Sequence, residues 1–160
     1  MKLSIIIPTF NNLFYLKFFI KSLKKNSFFD HEIILHINDG SDGTLDFIKT
    51  NNYKHTSSDN NIGLCSSINK AAKLVSNEYI LYSHDDMYFC PNWDKVLLHE
   101  VKSLNHDNFY LSGTMIEPHS GHIICDFGAD LDTFKEDELL SEYKNINFYD
   151  HQGTHFAPHL

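Results

Sequence analysis

The sequence predicts an α/β fold, a mostly parallel sheet flanked by helices, on three observations. From Leu3 to Leu104, short apolar runs alternate four times with segments of helical periodicity, the pattern of βα units joined by right-handed crossovers. Three of the apolar runs end on polar turns, at Thr9 to Asn12, Asn38 to Ser41 and His84 to Asp86. The last of these follows Tyr79-Ile80-Leu81-Tyr82, an apolar and aromatic run expected as a central strand buried on both faces, which stops on the adjacent carboxylates Asp85 and Asp86. In an open parallel sheet the ligand crevice lies beyond the carboxyl ends of the strands, so these acids are the first candidates for a site.

Taken in order, Leu3 to Ile7 is the first strand, stopped by Pro8. Apolar residues at 13, 16, 19, 20 and 23 share one helix face, with Asn12 placed to cap it and Lys24, Lys25 and Asn26 to end it. Glu32 to Ile37 is the second strand. It ends on Asn38-Asp39-Gly40-Ser41-Asp42-Gly43-Thr44, whose two glycines let the backbone turn sharply and approach a ligand. Thr44 to Lys49 is a short helix, and Tyr53 to Ser58 a weak strand at or near the sheet edge. Asp59 to Gly63 leads into a helix with apolar positions 64, 68, 71, 72 and 75. After the acids, Pro91 suits the first turn of a helix that buries Trp93, Val96, Leu97, Val101 and Leu104. Beyond it the alternation breaks. Phe109 to Met115 and Ile123 to Phe127 are expected strands, and Asp130 to Glu142 a mobile loop or a solvated helix.

At 160 residues, 42% of them hydrophobic and 14% aromatic, the chain has room for one domain with a real core and is not disordered. Its 21 acids stand against 13 bases, every one of them Lys, for a net charge of -8. That excludes a nucleic-acid binder, which needs a basic stripe to displace counterions. It also means that a bound phosphate must be held by a metal, by backbone N–H groups or by Lys, because the chain has no Arg fork. Cys65, Cys90 and Cys125 are widely spaced and fit buried or partly buried thiols in a reducing compartment rather than a disulfide framework or a zinc site. Met1 to Pro8 is too short for a signal-peptide core, and no transmembrane segment is expected, since no stretch approaches the roughly 18 apolar residues of a span. The expectation is a cytoplasmic chain.

An isolated Asp-Asp pair is more often a solvated turn, and an Asp-Gly sequence an ordinary one. Here they occur with two further motifs in a fixed order: SIIIPTFNN at 4–12, NDGSDGT at 38–44, NNIGLCSSIN at 60–69 and YILYSHDDMYFCPNW at 79–93. In that order and spacing the chain resembles the nucleotide-sugar-dependent glycosyltransferases of family 2, which have the Rossmann-like GT-A fold. The resemblance implies a single domain over 1–160, with donor-binding βα units in 1–104 and the start of an acceptor-side region in 105–160, truncated within the acceptor half. It implies inverting, metal-dependent transfer of a sugar from a nucleotide-diphosphate sugar donor, UDP-linked, to a glycan or lipid-linked acceptor in polysaccharide assembly. Such work is cytoplasmic or peripheral at the inner face of the membrane. Thr9, Phe10 and Asn11 would line the base and ribose pocket. Asp39 would accept a hydrogen bond from the base, with Gly40 and Ser41 in the same substrate-binding loop. Gly63 would let the next helix start close to the nucleotide, and Asn69 would support the loop that carries the acids. Asp85 would contact the ribose or sugar and join the metal site. Asp86, similar to the last acid of the family's DxD motif, would ligate Mn or Mg, which neutralises the leaving diphosphate.

The chain departs from the family pattern at His84, where an Asp often stands, and a strand-end His is more often a hydrogen-bonded packing residue than a ligand. No general base is identified. Glu136 and Asp137 sit in a charged run that a solvated helix explains, and Asp126, Asp130 and Asp132 have no motif context. His151, His155 and His159 recur every fourth residue, but Pro158 interrupts the spacing, and scattered surface histidines explain them better than a metal-binding helix. Two other classes remain in view. One is a catalytically incomplete module that binds nucleotide-sugar without transfer. The other is a nucleotidyltransferase, which would need a Gly-rich phosphate loop where Pro8-Thr9-Phe10-Asn11-Asn12 stands.

Overall fold

The computed structural model describes residues 1–119 and 122–146, so the three closing histidines lie outside the described residues. The chain divides into two compact units, Met1–Lys102 and Ser103–Leu160. The first runs β1 (Leu3–Phe10), α1 (Leu13–Asn26), β2 (Glu32–Asn38), α2 (Thr44–Thr50), β3 (Lys54–Ser58), α3 (Leu64–Ala71) with a 3-10 turn at Ala72–Leu74, β4 (Tyr79–Tyr82) and α4 (Trp93–Ser103). Its strands form one parallel sheet in the order β3-β2-β1-β4. Ile-rich β1 and β2 lie inside and are buried on both faces, as their unbroken apolar runs require. Alternate residues of β1 serve two layers: Ile5 and Ile7 pack with Leu16, Phe19, Ile48 and Leu98, and Ile6 packs with Ile34 and Ala71. Thus α1, α2 and α4 cover one face and α3 the other. The chain steps from β1 out to β3 and then returns to β4 on the far side of β1, which makes the carboxyl end of β1 a topological switch point.

β1 continues through Pro8 to Phe10, further than the proline suggested. Even-numbered residues of β1 aim their backbone polar groups toward β4, as Ile6 O does in accepting Ser83 N–H at 3.1 Å. β4 pairs only with Leu3 to Ile6, so the N–H that Pro8 lacks would fall beyond the ladder.

β4 is an edge strand among the described residues, not a central one, and Ile80 is 53% exposed. An apolar run alone does not show which side of the sheet receives a partner. α4 also differs from expectation. Pro91 and Asn92 form a turn ahead of the helix, with Trp93 N donating to Cys90 O at 3.3 Å and Asn92 at φ 62°, the arrangement of a type II turn. The helix then buries Asp94, Leu98 and Val101 while Val96 is exposed. The face is rotated because Asp94 is drawn inward: its Oδ2 accepts Phe28 N–H and Phe29 N–H, each at 2.8 Å, and His31 Nε2 at 3.0 Å.

The second unit has a two-stranded parallel pair, β5 (Ile116–Glu117) with β6 (Ile123–Ile124), then α5 (Glu136–Glu142) and a 3-10 turn at Tyr143–Asn145. The strand expected at Phe109 to Met115 does not form: pairing starts only at Ile116, and Tyr110 is 90% exposed. The strand expected at Ile123 to Phe127 stops at Ile124. Asp126 instead accepts Gly128 N–H at 3.0 Å in a turn whose glycine has φ 103°. The acidic run resolves into an Asp130 loop closed on Thr133 and into α5, whose first turn holds Glu136, Asp137 and Glu138, where carboxylates favour the helix dipole. The three cysteines are free, and Cys65 is exposed rather than buried.

Candidate functional site

At the carboxyl edge of the first unit's sheet lies a cleft of about 310 Å³. One wall is the β1–α1 turn, Pro8 to Asn12; the opposite wall is Asn61, Gly63, Leu64 and Ser67 at the start of α3; Asn38 and Asp85 complete it. Asn38 is 4% exposed and ties these parts together. Its Nδ2 donates to Thr9 O at 3.3 Å and Ser67 Oγ at 3.0 Å, and its Oδ1 accepts Ile62 N–H at 3.0 Å and the Ser58 hydroxyl at 3.3 Å. A buried amide so fully used fixes the ends of β1, β2 and β3 against α3. Phe10 and Leu64, about half-exposed, form an apolar rim.

The turn after β2 is clasped to the turn after β1. Asn11 Nδ2 donates to Asp39 Oδ2 at 2.9 Å and Ser41 Oγ at 3.4 Å, while Gly40 N–H donates back to Asn11 Oδ1 at 2.9 Å. Ser41 N–H holds the other Asp39 oxygen at 3.2 Å. Asn11 (φ 46°) and Asp39 (φ 63°) are both left-handed, a conformation non-glycine residues adopt at a cost and often at functional turns. Gly40 is needed for space as well: a Cβ there would meet Ile37 Cγ2 at 2.7 Å.

Asn12 does not cap α1. Its Nδ2 donates to Asp85 Oδ1 at 3.1 Å, and Asp42 takes over the helix start, accepting Leu13 N–H at 2.8 Å and Thr44 N–H at 3.0 Å. Burial pushes the Asp85 carboxyl up from its ordinary value and the Asp86 charge adds to the rise, against the Asn12 amide and a nearby Thr9 hydroxyl. That hydroxyl, on a residue 3% exposed, lies outside hydrogen-bonding geometry with any partner among the described residues. Asp86 and His84 are exposed, and His84 Nε2 lies 3.0 Å from Tyr82 Oη with the rings 5.3 Å apart, which gives the imidazole a packing partner. Among the described residues no group of three His, Cys, Asp or Glu side chains converges on a cation position. Two adjacent carboxylates nevertheless suit Mg or Mn, which bind through one or two acids and complete their shell with substrate phosphates and water.

Of the residues singled out in the sequence, Thr9, Phe10, Asn11, Gly63 and Asp85 line the cleft. Asp39, Gly40 and Ser41 adjoin it through the Asn11 clasp, and Asp86 follows Asp85 at the exposed end of the turn. Asn69 is exposed on α3 and is not among the cleft residues. The sequence reading missed Asn38, Ser67 and the true partner of Asn12. A buried Asn closing an apolar strand is the signal that would have marked the first.

The sequence matches the glycosyl transferase family 2 profile over residues 4–157. The chain belongs to that family. Its fold is GT-A, shared with crystal structures of S. aureus TarS: TarS itself at 23% identity and TM-score 0.54, covering 64% of this chain and 20% of that one. The 1–349 fragment of TarS in complex with UDP matches at 25% identity and TM-score 0.57, covering 64% of this chain and 32% of the fragment. The same fragment in complex with UDP-GlcNAc matches at 26% identity and TM-score 0.53, with 64% and 30% covered. This family 2 chain therefore spans about a fifth to a third of the length of those structures. No curated protein sequence matches it.

Proposed function

We propose that this chain is the donor-binding part of a glycosyltransferase that takes a UDP-linked sugar and passes the sugar, with inversion, to a hydroxyl of a glycan or lipid-linked acceptor in polysaccharide assembly. The observation that carries the reading is the cleft itself, which has an apolar rim, the Asp85 carboxylate in its lining and the Asp39 carboxylate clasped beside it through Asn11. The TarS complexes with UDP and UDP-GlcNAc, at 25% and 26% identity, add weight. In this reading residues 1–104 are the donor half and 105–160 begin the acceptor side. No helix among the described residues is long and apolar enough to cross a membrane. A cytoplasmic donor and a lipid-linked acceptor would bring the protein to the inner membrane face.

Each group then has a task. Phe10 and Leu64 offer the apolar surface on which a base lies. Asp39, held by Asn11 and by Ser41 N–H, accepts from the imide N–H of uracil, and an ionised carboxylate has no donor for the ring nitrogen of cytosine. Thr9 Oγ1 and Asp85 take sugar hydroxyls, which satisfies the unpartnered Thr9 group. Asp86, with Asp85, would hold Mn or Mg, whose charge when bound offsets the negative charge developing on the diphosphate. Calorimetric titration with UDP, CDP and GDP, with hydrolysis and transfer assays on UDP-sugars, tests the reading. Asp39→Asn should weaken UDP binding at least about tenfold, the scale of one lost charged hydrogen bond. Equal affinity for all three diphosphates would end the base assignment. UDP binding without turnover would favour the non-catalytic module.

A further inference from the structure

Adjacent residues Asn11 and Asn12 reach in opposite directions from one turn. Among the described residues the Asn11 side chain bonds only to the loop after β2, at Asp39, Gly40 and Ser41, and the Asn12 side chain only to the loop after β4, at Asp85. Neither amide is committed to α1, because Asp42 caps Leu13 N–H in place of Asn12. We infer that the pair is a divided positioning device: Asn11 sets the carboxylate that selects the base, and Asn12 sets Asp85, the less exposed member of the carboxylate pair that meets the diphosphate and its cation. The inference rests on the UDP-sugar reading above and goes beyond it in giving the two asparagines separable effects.

The physical basis is directional. A carboxylate has about four lone-pair sites, and a fixed amide donor on one of them determines which others face the ligand. On Asp39 the Asn11 amide occupies Oδ2 and Ser41 N–H occupies Oδ1, so both oxygens are oriented before the base arrives. On Asp85 the Asn12 amide holds Oδ1 and so sets the plane of the carboxylate. The left-handed backbone of Asn11 is a separate matter from its amide, which dictates the choice of variant: glycine adopts φ 46° without strain, so Asn11→Gly removes the bonds and leaves the turn. Asn12→Ala removes only the bond to Asp85.

The test is calorimetry of the full chain with UDP and CDP, each with Mn²⁺ and with chelator, alongside thermal melting. In Asn11→Gly the preference for UDP over CDP should fall about tenfold while the gain from Mn²⁺ stays as in the parent. In Asn12→Ala the gain from Mn²⁺ should fall by a similar factor while the preference for UDP is retained. A purely structural role would weaken every ligand together, so variants that lose both properties in parallel, or neither, overturn the inference. If Asn12→Ala melts below the assay temperature, Asn12→Ser takes its place under the same outcomes. A parent that binds no UDP defeats the functional reading itself, whereas a parent that binds UDP and responds to Mn²⁺, with variants that do not split, defeats only the division of labour.

Discussion

Asn38 satisfies Ile62 N–H, Ser58 and Ser67 hydroxyls and Thr9 O from one buried side chain. Asn38→Leu keeps the volume but strands the Ile62 N–H and the Thr9 carbonyl, and should cost about 2–4 kcal/mol of stability, one unmet buried group costing about 1–3. Urea unfolding measures it, and a variant as stable as the parent would show that the amide is not what joins these loops. At this scale side-chain chemistry can be read from the residues, but their partners cannot. Thr9, Asp39 and Asp85 were singled out through the family motifs they sit in, since a strand-end acid or hydroxyl by itself is as readily part of an ordinary turn. Asn12 was misassigned to a cap because capping preference is local, whereas Asp85 lies 73 positions from it and the competing cap, Asp42, lies 29 positions from the Leu13 it caps.

The segment after the acids is strapped to the end of α1 and the loop that follows. Asn26 Nδ2 donates to Phe89 O at 2.7 Å, Ser22 Oγ accepts Phe89 N–H at 3.2 Å, Ser27 Oγ accepts Trp93 Nε1 at 3.0 Å, and buried Asp94 gathers Phe28, Phe29 and His31. His31 Nδ1 accepts Leu3 N–H at 3.1 Å and Nε2 meets Asp94, so the ring is neutral with one tautomer fixed. Burial lowers the His31 pKa from 6.5, against Asp94 and Asp30 that raise it, while the amino terminus adds to the lowering. The folded state therefore binds fewer protons than the unfolded chain below the ordinary value, and the stability His31 contributes is present above pH 6.5 and lost progressively as pH falls from there through the lowered folded value. Buried His36 works in the same direction. Glu32 acts lower, because despite its burial Lys54, Ser4 and Ser76 hold its carboxyl down to about 2 from 4.5. Between about pH 7.5 and 5, His31→Gln should flatten the fall in unfolding free energy without abolishing it, since His36 remains. An unchanged slope would remove His31 from the account. The elements themselves were legible because β1, β2 and β4 are apolar runs and α1, α3 and α4 carry a helical period, while β3 rested on its place in the alternation. The misses came where a neighbour decides, as Asp94 does in rotating α4 and the end of β4 does in admitting Pro8.

For the molecule as a whole, parallel topology followed from the alternation, but the sheet order did not, since nothing in the apolar run at 79–82 distinguishes an edge strand from an interior one. Charge was legible and carries the remaining prediction. In the proposed reading a chain of net charge -8 with no Arg sets Asp85, in the cleft, and its neighbour Asp86 against a ligand that is itself anionic. Two like unit charges about 5 Å apart at an effective dielectric near 20 repel by about 3 kcal/mol, so a bare diphosphate is opposed by roughly the strength of one or two good hydrogen bonds. Uridine, with the same base and ribose but no phosphate, escapes that penalty. Chelation of Mn²⁺ should therefore weaken UDP binding by about tenfold to a hundredfold and leave uridine binding unchanged, and Asp86→Ala should reduce the difference between the two conditions. If UDP and uridine lose affinity equally on chelation, the cation acts on the protein rather than on the phosphates. If neither responds, Asp85 and Asp86 meet the diphosphate without a metal, and the repulsion must be relieved by Lys or by backbone N–H groups at the start of α3.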